Sequence, residues 1–196
     1  MSSNNVESDS IIKYRSKAAS KLPTEIGVYA LCDLDDVPIY VGQSEDSIRS
    51  RVRRHITSAR SDIIANRMID VWEVSFVWCW PCKRKGELNP LEAHLFHEFH
   101  GKSKLMNGAI PIEPPKLSFP IPQKIRIQIL PEKEIESRQR VALRLPRQAK
   151  QFGDLLDHFL NVKDSEELHL ALGAHFARLN LYFEHLQSSS ETEKEE

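Results

Sequence analysis

Three side chains spread along this 196-residue sequence have the chemistry of hydrolysis at an anionic centre. Glu92 offers a single carboxylate. One carboxylate can hold a hard divalent ion such as Mg²⁺, which keeps several waters and needs few protein ligands. Arg51 offers a planar fork of N–H donors suited to an oxyanion. Tyr29 carries a phenol that normally titrates near 10. It becomes a base only if nearby cations lower that value, and Arg51 would act in that direction. Each residue also has a plainer explanation. Asn89-Pro90-Leu91-Glu92 reads as a helix start, with Asn89 as cap, Pro90 at the first helical position and Glu92 where a capping-box acid belongs. Arginines on a helix are commonly a solvated face, and strand tyrosines are commonly packed.

The elements that would position these groups are legible from pattern. Gly27-Val28-Tyr29-Ala30-Leu31 and Tyr40-Val41-Gly42-Gln43-Ser44 are short apolar runs either side of Asp33-Leu34-Asp35-Asp36-Val37-Pro38. They predict a β-hairpin from about Ile26 to Gly42, with the acidic segment as its turn. In such a hairpin Tyr29 and Tyr40 can lie side by side on one face. Ser47 caps a following helix that runs to about Arg60, on which Arg51 and His55 share a face at i,i+4. Val71 to Trp80 alternates strictly and predicts a third strand. A helix follows from Asn89, and Asn107-Gly108 is a common turn pair.

The two tripeptides Gly27-Val28-Tyr29 and Tyr40-Val41-Gly42, followed in order by Arg51, His55, Glu92 and Asn107, resemble the GIY-YIG nuclease superfamily. Valine stands for isoleucine in both motifs, and the resemblance covers about residues 24–112. It implies an α+β fold with a small central antiparallel sheet of about three strands flanked by helices. It also implies an Mg²⁺-dependent DNA endonuclease, with Mn²⁺ as a substitute ion. Glu92 would then be the metal ligand and Arg51 the phosphate contact. Tyr29, or Tyr40 with His55, would orient and deprotonate the attacking water, and the choice between them stays open. Asn107 would hold the site together by hydrogen bonds. Some relatives carry a lysine directly after the second motif, where this chain has Gln43. A compact catalytic domain with a helical extension most resembles restriction or phage-defence members. The alternatives are a repair or mobile-element nuclease, and an idle nucleic-acid-binding or protein-interaction module that kept the fold.

Composition constrains how DNA could be held. The formal net charge is -1, and residues 11–116 carry 16 Lys+Arg against 13 Asp+Glu, whereas 117–196 carry 11 against 13. Binding must rest on local patches rather than on global charge. The candidates are Arg49, Arg53, Arg54 and Arg60 on the helix, and the basic turn Lys83, Arg84 and Lys85. Three cysteines argue against a disulfide framework and for a reducing compartment. Cys79 and Cys82 with His94 and His97 or His100 loosely resemble a zinc site, but a structural zinc is not expected. No apolar run approaches a membrane span and no signal peptide is visible, so a cytoplasmic protein is expected.

The sequence divides into an N-terminal arm (1–22), a catalytic domain (23–112), an extension (113–187) and a disordered acidic tail (188–196). Residues 1–10 also read as disordered. The extension opens with Pro111, Pro114, Pro115, Pro120 and Pro122 in and around a stiff linker. An alternating strand over Lys124–Ile129 and a helix over Glu132–Leu145 come next, then an apolar stripe of Phe152, Leu155, Leu156 and Phe159. Asp164 and Glu167 form a capping-box pattern for a last helix carrying Leu168, Leu172, Phe176, Leu179, Phe183 and Leu186. That stripe predicts either internal packing or a homodimer.

Overall fold

A computed structural model gives the fold. It describes residues 3–57, 69–113 and 116–192, with side chains over 10–57, 69–113 and 116–187. In chain order the elements are α1 (Ser3–Ala19), β1 (Gly27–Cys32), β2 (Pro38–Ser44), α2 (Ile48–Thr57), β3 (Phe76–Pro81), α3 (Leu88–His100), β4 (Ile125–Gln128), α4 (Glu132–Gln139), α5 (Val141–Asn161) and α6 (Glu166–Thr192).

The hairpin forms as its sequence demands. Asp33 Oδ1 accepts hydrogen bonds from the backbone N–H groups of Asp35 and Val37, closing the turn. Asp36 sits at φ 60°, a conformation that aspartate tolerates. Pro38 opens β2, where a missing N–H is least harmful. The sheet is antiparallel, with strand order β2-β1-β3-β4. It thus has four strands rather than about three. The fourth is the strand predicted in the extension, which pairs with β3 at the sheet edge. The strand predicted to begin at Val71 begins at Phe76 instead, because Asp70 folds the preceding residues into a turn. Its side chain accepts from the Trp72 N–H and its carbonyl from Glu73.

Helices cover both sheet faces. Tyr29, Leu31, Val77 and Cys79 enter one core with Ile48, Val52 and Ile56 of α2 and with Leu155, Leu168 and Leu172 of the extension. Val28, Ala30, Val41 and Trp80 enter the other with Leu88, Leu91, Leu95 and Phe96 of α3. The fold is therefore three layers with an all-buried central strand, β1.

Other expectations are corrected. Helix begins at Ser3, within the stretch read as disordered, and α6 continues to Thr192, past Ser188. Glu132–Leu145 is not one helix. Arg140 adopts extended backbone between α4 and α5, which leaves Pro146 near a helix start rather than deep in a long helix. The α6 cap is Ser165, whose hydroxyl accepts from the Leu168 N–H. The apolar stripe of α6 also splits. Leu168 and Leu172 are buried, whereas Phe176, Phe183 and Leu186 are exposed and the inward positions are His175, Arg178 and Tyr182.

Arg178 and Tyr182 belong to a buried ion network. Arg144 bonds Glu73 at 2.7 Å, Asp35 at 2.5 Å and the Tyr182 hydroxyl at 2.9 Å. Arg178 bonds Asp33 at 2.8 Å, and Arg147 bonds Asp70 and Glu73. Every arginine comes from the extension, and every acid comes from the hairpin turn or the turn before β3. Burial lowers the Arg144 pKa, but Glu73, Tyr182 and the two aspartates carry it above its ordinary value. Burial raises the Asp33 pKa to about 6 despite Arg178. The extension thus supplies the arginines that pair with this acidic cluster.

Candidate active site

The site is built around β2, the edge strand. Tyr29 pairs with Gly42, and Tyr40 pairs with Leu31, so both tyrosines point to the same face as diagonal neighbours. Their ring centroids are 6.4 Å apart. A Cβ on Gly42 would lie 2.7 Å from the Tyr29 hydroxyl and 2.8 Å from the Tyr40 ring. Glycine is therefore required for the two phenols to share this space. At Gly27 a Cβ would overlap the Trp80 carbonyl oxygen and come within 2.7 Å of Ile48, so that glycine lets α2 dock on β1.

On the same face α2 brings two more groups. The buried His55 Nε2 lies 2.8 Å from the Tyr29 hydroxyl. Arg51, one turn earlier, hydrogen-bonds that hydroxyl and lies within electrostatic reach of Glu92. Ser47 caps α2 as predicted, accepting from the Ser50 N–H. The Tyr29 pKa moves opposite to the direction expected from Arg51. Burial, seconded by Tyr40, raises it well above 10. Tyr40 is only half-buried and reaches solvent.

Glu92 approaches from the other side of the edge strand, on α3. Its helix starts earlier than predicted, at Leu88 behind a short 3₁₀ turn, so Asn89 and Pro90 lie inside it. Glu87 accepts from the N–H groups of Lys83 and Arg84 in the preceding turn, and Glu92 is the fifth residue of α3, past its first turn. Helix initiation therefore does not account for Glu92. Burial raises its pKa to about 7, against the pull of Arg51. Asn89 instead accepts a 2.6 Å hydrogen bond from the Gln43 amide, tying the start of α3 to β2. Pattern reading missed this bridge, since neither residue type signals it. Asn107 clasps the outer edge of β2. Its side chain accepts from the Val41 N–H and donates to the Val41 carbonyl, replacing a neighbouring strand.

The basic residues are not equivalent. Arg49 is turned inward to the Leu22 carbonyl. Arg84 pairs with Glu87 and Lys85 with Glu45. Arg53, Arg54 and Lys83 are exposed, and Arg54 lines a polar cavity of about 220 Å³ together with Arg51, Ser44 and Ser50. Arg60 lies outside the described residues. Cys79 and Cys82 enter different cores, so they do not face one common ion.

A small sheet whose edge strand gathers two tyrosines, a histidine, an arginine and a desolvated carboxylate has the make-up of a nuclease-type catalytic domain. Residues 25–104 match the family model described as the GIY-YIG catalytic domain, so the chain carries a domain of that nuclease family. No curated protein and no solved structure matches the chain. The matched span contains every candidate catalytic residue except Asn107. Among the described residues, no helix is long and apolar enough to cross a membrane.

Proposed function

We propose that this protein is a Mg²⁺-dependent DNA endonuclease of the restriction or phage-defence kind, acting in the reducing cytoplasm. The observation that carries the reading is a desolvated Glu92 within electrostatic reach of Arg51 around β2. The donor set fits the ion. Among the described residues no group of three or more His, Cys, Asp or Glu could hold a metal, and Glu92 is the desolvated carboxylate within electrostatic reach of Arg51. That is enough for an ion that completes its shell with water and phosphate oxygens. When bound to Glu92, Mg²⁺ (or Mn²⁺) supplies Lewis-acid neutralisation of phosphate charge.

The other roles belong to the chain's own residues. Arg51 presents N–H donors to a phosphate oxygen as charge builds there. Tyr40, half-exposed on the Tyr29 face, orients the attacking water and, as the phenolate, takes its proton. Tyr29, fully buried and raised in pKa, fixes His55 and Arg51 through its hydroxyl and is a positioning residue. Asn107 holds the strand carrying Tyr40 and Gly42. Exposed Arg53, Arg54 and Lys83 meet the DNA backbone.

Single-turnover cleavage tests these roles. Arg51→Lys should lose about 10²–10³ in rate, because a point charge does not reproduce the planar fork. Tyr40→Phe should lose about 10² or more, the usual contribution of a positioned base. An unimpaired Tyr40→Phe with a crippled Tyr29→Phe would return the base to Tyr29.

The exposed Phe176, Phe183 and Leu186, with Leu179 between them, recur at heptad spacing on α6. We propose that they pair two copies of the chain, giving a one-site nuclease two sites for two strands. Light scattering should show a dimer that Phe183→Glu dissociates. A strict monomer that still makes clean double-strand breaks contradicts this.

A further inference from the structure

Ile112 is 92% exposed, the most exposed large apolar side chain among the described residues, and Ile110 beside it is 52% exposed. Leaving such a side chain in water gains nothing for folding. Its placement is not that of a loose loop tip. The Pro111 carbonyl accepts a 2.7 Å hydrogen bond from His97 Nε2 on α3, and Pro111 stiffens the backbone just before Ile112. Farther along, Leu117 and Phe119 pack against the α3-side core. Ile112 thus follows directly on a residue anchored to α3.

The same segment walls a groove of about 600 Å³ whose opposite wall is Asn89, Pro90, Glu92 and Ala93. The occupant is set by that wall, since whatever presents a phosphate to Glu92 must lie along it. Duplex DNA offers an apolar side chain one large apolar surface, the stacked faces of its bases. Rigidly held isoleucines and prolines enter there as wedges that unstack a step and kink the duplex.

Resting on the DNA-nuclease reading, we propose that Ile112 is a wedge that enters a base step beside the scissile phosphate. The wedge selects for deformability rather than for base identity. Pyrimidine–purine steps, which unstack easily, and already distorted helices should be preferred at the cut.

The test uses the full chain with Ca²⁺ in place of Mg²⁺, which suppresses cutting, and a duplex carrying 2-aminopurine at the step flanking the mapped cut. Anisotropy reports binding, and 2-aminopurine emission reports unstacking. Wild type should bind and raise the emission. Ile112→Ala should still bind but lose the rise, with cleavage falling on intact duplex and recovering on a mismatched one. Ile112→Leu should keep the rise. Binding and cleavage by wild type with no emission change would overturn the wedge alone. So would loss on Ile112→Ala that is reproduced by replacing thymine with uracil, which marks a methyl contact in the major groove. A change in oligomeric state on Ile112→Ala with emission retained would assign the residue to a self-contact and also overturn it. No DNA binding by wild type would overturn both the wedge and the reading beneath it.

Discussion

Glu92→Gln should abolish cleavage while leaving the fold and DNA binding in place. The amide keeps the size and helix propensity of the side chain but holds no hard cation at neutral pH. The loss should be about 10³-fold or more, corresponding to several kcal/mol of charge neutralisation at phosphorus. Two observations make the test sharp. Glu92 is the fifth residue of α3, past the first turn where a side chain caps the helix, so the substitution does not fray α3. The carboxylate is also ionised against a desolvation cost that raises its pKa to about 7. The neutral amide escapes that cost, so thermal stability at pH 8 should hold or rise as activity vanishes. A mutant cutting near the wild-type rate would remove Glu92 from the chemistry.

Arg144→Met should be the most destabilising substitution among the arginines of the extension. Methionine keeps much of the volume but removes the cation that joins Glu73, Asp35 and the Tyr182 hydroxyl, leaving Glu73 with Arg147 and Asp33 with Arg178. Breaking a buried, hydrogen-bonded pair from one side typically costs about 3–5 kcal/mol. Urea unfolding should show the midpoint falling with the slope nearly unchanged. Arg126→Ala breaks the half-exposed pair with Asp36 and provides the contrast, since exposed pairs contribute about 0–1 kcal/mol. Equal losses from the two would mean that the buried network does not fasten the extension to the catalytic domain.

The hairpin, the α2 cap and the antiparallel sheet were legible because each rests on local rules. Aspartates close a turn, a serine caps a helix, and apolar residues alternate along a strand. The tripeptide glycines were legible as pattern, but their reason is tertiary. Only the packed structure puts Tyr29 over Gly42 and the Trp80 carbonyl against Gly27. The α3 start was misplaced because Asn89-Pro90 imitates a cap so well, while the Gln43 contact that uses Asn89 spans 46 residues. The α6 stripe was misread for the same kind of reason. Arg178 and Tyr182 turn inward toward acids more than a hundred residues away, and the phenylalanines are left outside. The Tyr29 pKa was misjudged because a neighbouring cation can be inferred from spacing whereas full burial cannot.

The central claim is that these groups together hydrolyse DNA. The most direct measurement is incubation of the purified chain with supercoiled plasmid and Mg²⁺, with EDTA and Glu92→Gln as controls, followed by sequencing of the ends. Nicked or linear products that depend on both the metal and Glu92 are the predicted result. A folded wild-type protein that leaves every plasmid intact, or one whose cutting persists unchanged in EDTA, would contradict it.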